Sequence, residues 1–223
     1  MKKVIILSFI SLLLIGACTI NCPDDEKIGA ISLTEQSLAF FPYKGDQKLV
    51  FKSDEGEEIR FSSDDGGVHT ESYKISIYKT CSEFKYDGGS SYEYFEGENK
   101  HAVYFCQDPP LSFNIGLYTT ILRPEQELFF DKLLVDVMSV GSVGRGEIAT
   151  DIRFTEHYEE QELNFNAPMQ FTDEVTLNGV TYTNVYKSKL FEQAQIFYTK
   201  SQGLVGFTTN DAESKTYNLI GIE

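Results

Sequence analysis

The sequence has 223 residues, of which 34 are acidic and 19 basic, so its formal net charge is −15 at pH 7. Such a charge makes nucleic acid an unsuitable partner, because contacts to phosphates need clustered lysine and arginine. With 17 phenylalanines and 13 tyrosines but no tryptophan, the composition favours strands over helices.

The first residues have the three parts of an export signal. Two lysines precede an apolar run at residues 4–14, and the small residues Gly16 and Ala17 stand before Cys18. As a helix, residues 4–17 would span about 21 Å, which is short for a hydrocarbon core of about 30 Å. We therefore expect residues 1–17 to be a signal peptide that is cleaved between Ala17 and Cys18.

A small-residue pair followed by cysteine resembles the cleavage site of bacterial lipoproteins. The resemblance implies that the thiol and the new amine of Cys18 are acylated. Several acyl chains anchor a protein stably in the membrane, whereas a single chain binds reversibly. Cleavage removes two lysines and no acidic residues. The mature protein then has 17 basic and 34 acidic residues, so its formal charge is −17. Anionic lipid surfaces repel such a domain, so Cys18 is the expected membrane attachment.

Residues 18–27 are polar and aperiodic, and we expect a lipidated flexible tether before a single β-rich domain over residues 28–223. In the best-known sorting rule of bacterial lipoproteins, a carboxylate after the cysteine retains the protein in the inner membrane, and Thr19 has none. The expected location is the cell envelope, lipid-anchored in the outer membrane. Asp24, Asp25 and Glu26 resemble short surface-export signals, although a solvated linker would look the same.

From Ile28 onward, most apolar residues alternate with polar ones, the period of two that is typical of strands. Turn residues separate the runs at residues 54–57, 64–67, 87–90 and 108–110. Closely spaced hairpins favour an all-β fold, mostly an antiparallel meander, as a half-open barrel or a two-sheet sandwich. Minor short helices are expected at residues 124–131 and 156–163.

Asn178 and Gly179 are the strongest local signal. This pair suits a two-residue hairpin turn of type I′, in which both positions need a positive φ. The turn would pair Leu177 with Val180 and Val175 with Tyr182, and Thr176 with Thr181 on the opposite face.

Three more strands are expected near the end of the chain. Residues 196–200 should turn at residues 201–203 into a strand at residues 204–208. The last strand puts Tyr217 and Leu219 on one face and Ile220 and Ile222 on the other, the pattern of a strand covered on both sides.

Export places the cysteines in an oxidising compartment, so Cys22, Cys81 and Cys106 are potential disulfide partners and not metal ligands. Cys81 and Cys106 lie in strand-like segments, whereas Cys22 lies in the expected tether. We therefore predict a bond between Cys81 and Cys106. Closing that loop would contribute roughly 3 to 4 kcal/mol in the chain-entropy model.

Residues at both ends of the mature domain resemble a broad group of uncharacterised Gram-negative envelope lipoproteins, while the middle does not. The matching residues are Phe41, Pro42, Tyr43, Gly45, Leu49, Phe51, Asn178, Gly179, Tyr182, Val185, Tyr186, Tyr198, Lys200, residues 203–207, Tyr217 and Leu219. The resemblance implies a surface- or periplasm-facing lipoprotein and transfers no catalytic residue. A fainter one links the aromatic sheet to lipid and lipoprotein carriers of the outer membrane.

Catalytic motifs are not recognisable in the sequence, and neither a cofactor nor a metal site is expected. His69, His101 and His157 read more readily as surface residues than as functional ones. Residues 141–146 read as a flexible hairpin connection, although such glycine-rich loops can also bind anions. Carboxylates at residues 54–58 and 64–65 could attract Ca²⁺ but do not have the spacing of an EF-hand.

The sequence favours a non-enzymatic β-domain that binds a partner or helps organise the envelope. Exposed aromatic residues could bind a saccharide or a peptide, or form the rim of the core: Tyr86, Tyr92, Tyr94 and Phe95. The alternatives are a carrier or sensor of lipid-like ligands in a half-barrel cavity, and an envelope hydrolase acting on glycans or esters.

Overall fold

The structure is a computed structural model that describes residues 22–82, 90–139, 142–154, 163, 165–189, 194–209 and 214–223. The expected signal peptide, with Ala17, and the expected acylation site Cys18 lie outside the described residues. So do Tyr86, His157 and most of the helix expected at residues 156–163.

The described chain is nearly all β, which confirms the predicted fold class. Its elements are β1 (Glu26–Ile31), α1 (Glu35–Leu38), β2 (Lys48–Ser53), β3 (Glu58–Ser82), β4 (Ser90–Cys106), β5 (Leu111–Arg123), a 3-10 turn (Pro124–Gln126), β6 (Leu128–Ser139), β7 (Ser142–Ile152), β8 (Met169–Leu177), β9 (Val180–Ser188), β10 (Ala194–Thr199), β11 (Gly203–Thr209) and β12 (Thr216–Ile222). In the part of the chain that the structure describes, no helix is long and apolar enough to cross a membrane.

Two antiparallel meanders make up the sheet. The strand order is β7-β6-β5-β4-β3-β2-β12-β11-β10-β9-β8, and β1 pairs with β4 outside this path. The last strand, β12, lies between β2 and β11, so it joins the early meander to the late one. The meander was predicted from closely spaced hairpins, but the position of β12 was not.

Two predicted loops are strand in the structure. Residues 64–67 lie within β3, and most of the glycine-rich segment at residues 141–146 lies in β7, which pairs with β6 from Ser142 onward. The predicted turn at residues 64–67 is wrong, and the predicted hairpin connection is wrong for residues 142–146, because pairing with neighbouring strands overrides the weak preference of glycine and aspartate for turns. The short helical turn expected after Arg123 is present over Pro124–Gln126.

Contacts divide the chain into two compact units. The smaller one comprises Met1–Gly29 and Ser76–Phe95, and the larger one Ala30–Ile75 and Glu96–Glu223. Within the smaller unit, the Oδ1 atom of Asp25 accepts a hydrogen bond from the amide of Tyr92 at 3.0 Å. Glu26 opens β1, so the last part of the expected tether is ordered and paired.

The smaller unit also holds a disulfide bond between Cys22 and Cys81, whose Cα atoms lie 5.5 Å apart. The predicted bond between Cys81 and Cys106 is wrong. Cys106 pairs with no other cysteine of the described chain, and its Sγ donates to the carbonyl of Asp108 at 3.2 Å. The prediction failed because it placed Cys22 in a free tether. In the structure the hydrogen bond of Asp25 and the start of β1 at Glu26 fix this segment, and Cys22 lies at bonding distance from Cys81.

In the larger unit the sheet curls until its edge strands meet, as a nearly closed barrel does. The amide of Glu147 in β7 donates to the carbonyl of Ala167, just before β8, at 2.8 Å. The carboxylate of Glu147 accepts from the amide of Asn166 at 2.7 Å, which fixes this segment against β7. Gly144 of β7 lies against Ala194, so this edge strand also packs against β10, two strands in from the other edge.

Phenylalanines fill the core of the larger unit. Phe51, Phe61, Phe113 and Phe207 have no exposed surface. The rings of Phe61 and Phe113 stack with centroids 4.1 Å apart, and Phe51 meets Phe207 edge to face at 5.4 Å. Rings at these distances leave little space between them, so the four phenylalanines fill the space that they enclose.

The end of β12 departs from its prediction. Tyr217 is buried, but Ile220 and Ile222 are 46% and 47% exposed. The expectation that this strand is covered on both faces is therefore wrong. A register shift between Leu219 and Gly221 accompanies the change, and the two isoleucines face solvent.

Candidate functional site

The hairpin of β8 and β9 folds back over the sheet of the larger unit. Its turn is the predicted one, with φ of 49° at Asn178 and 81° at Gly179, and with the predicted pairs Leu177 to Val180 and Val175 to Tyr182. The side-chain amide of Asn178 donates to the carbonyl of Thr216 at 2.9 Å. The tip of the hairpin is thereby fastened to the start of β12.

A second hydrophobic cluster holds the hairpin down. It consists of Leu177, Tyr182, Val185, Phe197 and Val205. Leu177 lies so close to Gly206 of β11 that a Cβ there would clash with it, which explains the glycine at that position. The hydroxyl of Tyr182 donates a hydrogen bond to the carbonyl of Leu219 at 2.9 Å.

The other end of β9 stays in the sheet. Lys187, Tyr186 and Val185 pair with β10, and the pairing stops at the next residue, Asn184, which has a φ of 54°. Asparagine tolerates this left-handed conformation better than most residues. The strand therefore leaves β10 at Asn184, and a gap opens beside it.

This gap is the candidate site, which we call the hairpin cleft. It has a volume of about 550 Å³ and is lined by Ala39, Phe171, Thr183, Asn184, Tyr186, Thr199, Lys200 and Ser201. The volume lies within the range of roughly 300 to 1,000 Å³ that is usual for small-molecule sites.

One wall of the hairpin cleft holds the rings of Phe171 and Tyr186, and the ring of Phe40 lies buried behind them. Phe171 is 54% exposed, and its ring centroid lies 5.5 Å from that of Tyr186. The ring of Tyr186 lies 5.7 Å from that of Phe40. The Lys200 ammonium is 5.0 Å above the Phe40 ring, a cation–π contact that positions the charge beside these rings.

The polar groups of the cleft suit binding. The hydroxyl of Tyr186 can donate a hydrogen bond, because tyrosine is neutral at physiological pH and burial raises its pKa further. Among the described residues that line the cleft, Lys200 carries a positive charge and none carries a carboxylate. In a chain with 34 acids this is a local reversal of charge. Histidine and cysteine are also missing from that lining.

A buried polar network lies elsewhere in the larger unit. Asp131 has no exposed surface, accepts from Thr119 Oγ1 at 3.0 Å and pairs with the guanidinium of Arg153. It also accepts from the amide of Thr34, the residue that caps α1, at 3.1 Å. These bonds attach α1 to the sheet and leave the carboxylate closed to solvent, so the network is structural.

The structure brings two of the singled-out histidines together. The rings of His69 and His101 stack with centroids 5.4 Å apart. In the described part of the chain, no three His, Cys, Asp or Glu residues cluster as a metal site would require. The carboxylates of Glu55 and Glu57, considered for Ca²⁺, both bind the ammonium of Lys215, at 3.0 and 3.3 Å.

Of the aromatic residues that the sequence suggested as a binding surface, those that the structure describes are less exposed than Phe171. Tyr92, Tyr94 and Phe95 are partly buried in the smaller unit. Sequence reasoning missed the hairpin cleft, although Phe171 gave a signal. It is a large apolar residue between two polar ones, Gln170 and Thr172, in a strand rich in polar residues.

Comparison with protein-family models, with curated proteins and with solved structures finds no match to this chain. The function has to be inferred from the geometry of the site.

Proposed function

We propose that this protein is a lipoprotein of the outer membrane, anchored through acylated Cys18, whose larger unit binds an acidic saccharide in the hairpin cleft and catalyses no reaction. The anchor rests on the sequence of the first eighteen residues. The single observation that supports the ligand class is a lining that joins the exposed ring of Phe171, the ring of Tyr186 and the ammonium of Lys200 and has no carboxylate among its described residues.

Each part of the cleft matches one feature of such a ligand. The exposed ring of Phe171 can cover the apolar face of a sugar, as aromatic side chains do in other clefts. Asn184 and Ser201 at the rim offer hydrogen bonds to sugar hydroxyls. The ammonium of Lys200 can form a charge-assisted bond to a carboxylate of the ligand.

The overall charge limits the choice of ligand further. At −15 the chain repels polyanions at long range, and salt reduces this repulsion only in part. A ligand with one carboxylate and an apolar face fits better than a densely charged polymer.

Two other functions have less support. A carrier of lipid-like molecules needs an apolar cavity, whereas stacked phenylalanines occupy the centre of the larger unit. A hydrolase needs an acid, a base or a nucleophile facing its substrate, and the described lining of the hairpin cleft holds neither histidine nor carboxylate.

The proposal is tested by screening the full protein against an array of neutral and acidic oligosaccharides. We expect binding to acidic members, weakened about tenfold in Phe171→Ala, which corresponds to about 1.4 kcal/mol. In Lys200→Gln we expect the preference for acidic over neutral saccharides to disappear, because the charged partner is removed.

Matched controls are available. Phe105 is another exposed phenylalanine, and Lys48 another exposed lysine, and neither lines the cleft. Phe105→Ala and Lys48→Gln should bind like the wild type. Capture of peptides but no saccharide, equal loss in the controls, or turnover of a bound saccharide would each contradict the proposal.

A further inference from the structure

Two partly buried side chains on β4 each bury a polar atom that has no hydrogen-bond partner among the described residues. Ala102 and Tyr104 point into the core, and the alternation of a strand puts Asn99 and His101 on the opposite face. Oδ1 of Asn99 and Nδ1 of His101 are both buried, and neither finds a hydrogen-bond partner among the described residues. Leaving such atoms unpaired costs about 1 to 3 kcal/mol each, so two on one face of one strand need an explanation.

A second imidazole lies beside these atoms. His69 of β3 stacks on His101, with an angle of 28° between the rings. Both histidines are partly buried, so neither is a freely solvated surface residue. An imidazole that carries one proton has a free lone pair on its other ring nitrogen, and this is the atom that binds metal ions.

The neighbouring strand places a tyrosine on this face. His101 pairs with Gly116 of β5, which has no side chain. The ring of Tyr118 lies over this glycine, so closely that a Cβ there would clash with its hydroxyl. Burial raises the pKa of Tyr118, so the hydroxyl stays neutral beside the imidazoles. The charges of Asp136 and Arg145 also act on this hydroxyl, and the unpaired atoms of Asn99 and His101 add oxygen and nitrogen lone pairs to the face.

We propose that His69 and His101 bind a divalent transition-metal ion such as Zn²⁺, with the side-chain oxygen of Asn99 as a third ligand and water completing the coordination. Imidazole nitrogen is a preferred ligand of these ions, and a metal satisfies both unpaired atoms at once. The negative charge of the chain attracts cations to its surface.

The composition of the site sets its strength and selectivity. Because no group of three His, Cys, Asp or Glu residues is present in the described chain, the site has two imidazoles and no anionic ligand. It should therefore bind more weakly than a structural zinc site with four protein ligands. Ca²⁺ and Mg²⁺ prefer oxygen ligands and should not compete.

The test is a calorimetric titration of the full protein with Zn²⁺ alone, repeated with Ca²⁺. We expect one equivalent of Zn²⁺ to bind, at least tenfold more weakly in His69→Gln and in His101→Gln, and no Ca²⁺ to bind at this site. His157→Gln is the matched control, because it removes the third histidine of the chain, and it should bind Zn²⁺ like the wild type.

Imidazole proton resonances of the wild type give a readout that does not depend on the folding of a variant. Zn²⁺ should shift the signals of two histidines and leave the third unchanged. The proposal is overturned if Zn²⁺ does not bind, if it shifts one or none of these signals, or if His157→Gln weakens binding as much as the other two variants.

Discussion

At the scale of single residues, the stability of the larger unit depends on one buried carboxylate, that of Asp131. Asp131 is fully buried, pairs with Arg153, and accepts further bonds from Thr34 and Thr119. A buried carboxylate is tolerable only when it is paired and hydrogen-bonded, and here each of its oxygens has at least one donor. Removing its charge leaves Arg153 without its partner.

We expect Asp131→Asn to lower the free energy of unfolding by about 3 kcal/mol, the usual effect of breaking a buried ion pair. Urea unfolding followed by circular dichroism measures the change. Asp46→Asn, at an exposed turn, is the control and should have little effect. A loss of less than about 1 kcal/mol for Asp131→Asn would show that solvent reaches this network.

Buried tyrosines make the fold sensitive to alkali. Desolvation raises the pKa of Tyr73 and of Tyr104 to about 12, from 10.0. Burial raises the pKa of Tyr43 and Tyr198 as well. A raised pKa in the folded state stabilises the fold fully below pH 10, because folded and unfolded tyrosines are then both neutral.

As the pH rises from 10 to about 12, unfolded tyrosines lose protons that the folded protein retains, so stability should fall across this window. Absorbance of tyrosinate and circular dichroism, recorded together, measure it. Tyr104→Phe should shift alkaline unfolding to higher pH, and at neutral pH it removes a hydroxyl that bonds no other described residue. Tyr78→Phe, at an exposed position, should shift nothing.

At the scale of elements, the hairpin of β8 and β9 depends on its tip. The amide of Asn178 donates to the carbonyls of Lys52 and Thr216 and to the side chain of Asn218, at 2.9 to 3.2 Å. Asn178 also holds a positive φ that alanine adopts poorly. One residue thus shapes the turn and fastens it to the sheet.

Asn178→Ala should destabilise the protein by about 1 to 2 kcal/mol, because it removes hydrogen bonds and introduces backbone strain. Hydrogen exchange would locate the effect: amides of β8 and of the distal part of β9 should lose protection, whereas those of β5 and β6 should not. Uniform loss of protection over all strands would mean that the hairpin is not a separate element.

The same hairpin shows which features the sequence could predict. Its turn, register and faces follow from Asn178, Gly179 and the alternation around them, and all were predicted correctly. The hairpin cleft depends on Asn184, where the pairing between β9 and β10 stops. An asparagine within a strand does not reveal from the sequence which neighbouring strand loses its pairing there. The exposure of Phe171 could have been predicted from the polar residues around it. Its contact with Tyr186, and that of Tyr186 with Phe40, could not, because these residues come from different segments of the chain.

Pairings between distant segments were the main source of error. The position of β12 between β2 and β11 and the bond between Cys22 and Cys81 both join segments far apart in the chain. Local periodicity carries no information about such partners. The stacked histidines are a third case, because His69 and His101 lie on different strands and looked like separate surface residues.

At the scale of the whole molecule, the disulfide is the strongest covalent constraint on the fold. Cys22 and Cys81 are 59 residues apart, so their bond closes a long loop. In the chain-entropy model it contributes about 4 kcal/mol. It also fixes the fourth residue after the expected acylation site, so the free chain between anchor and fold is at most about 14 Å long.

We expect the double variant Cys22→Ser and Cys81→Ser to unfold at a lower temperature, with protection from hydrogen exchange lost first in residues 90–95. Cys106→Ser should be neutral, because this thiol is outside the bond. Peptide mapping without reduction should recover a fragment that links Cys22 to Cys81. A fragment linking Cys81 to Cys106 would restore the pairing predicted from the sequence.

The most direct test of the account is the chemical state of the N-terminus in protein taken from its native membranes. We expect mass spectrometry to find Cys18 as the first residue, carrying fatty acyl chains, and a clickable fatty acid to label the wild type but not Cys18→Ala. A soluble protein that begins at Met1, with an unmodified thiol at Cys18, would contradict the central claim.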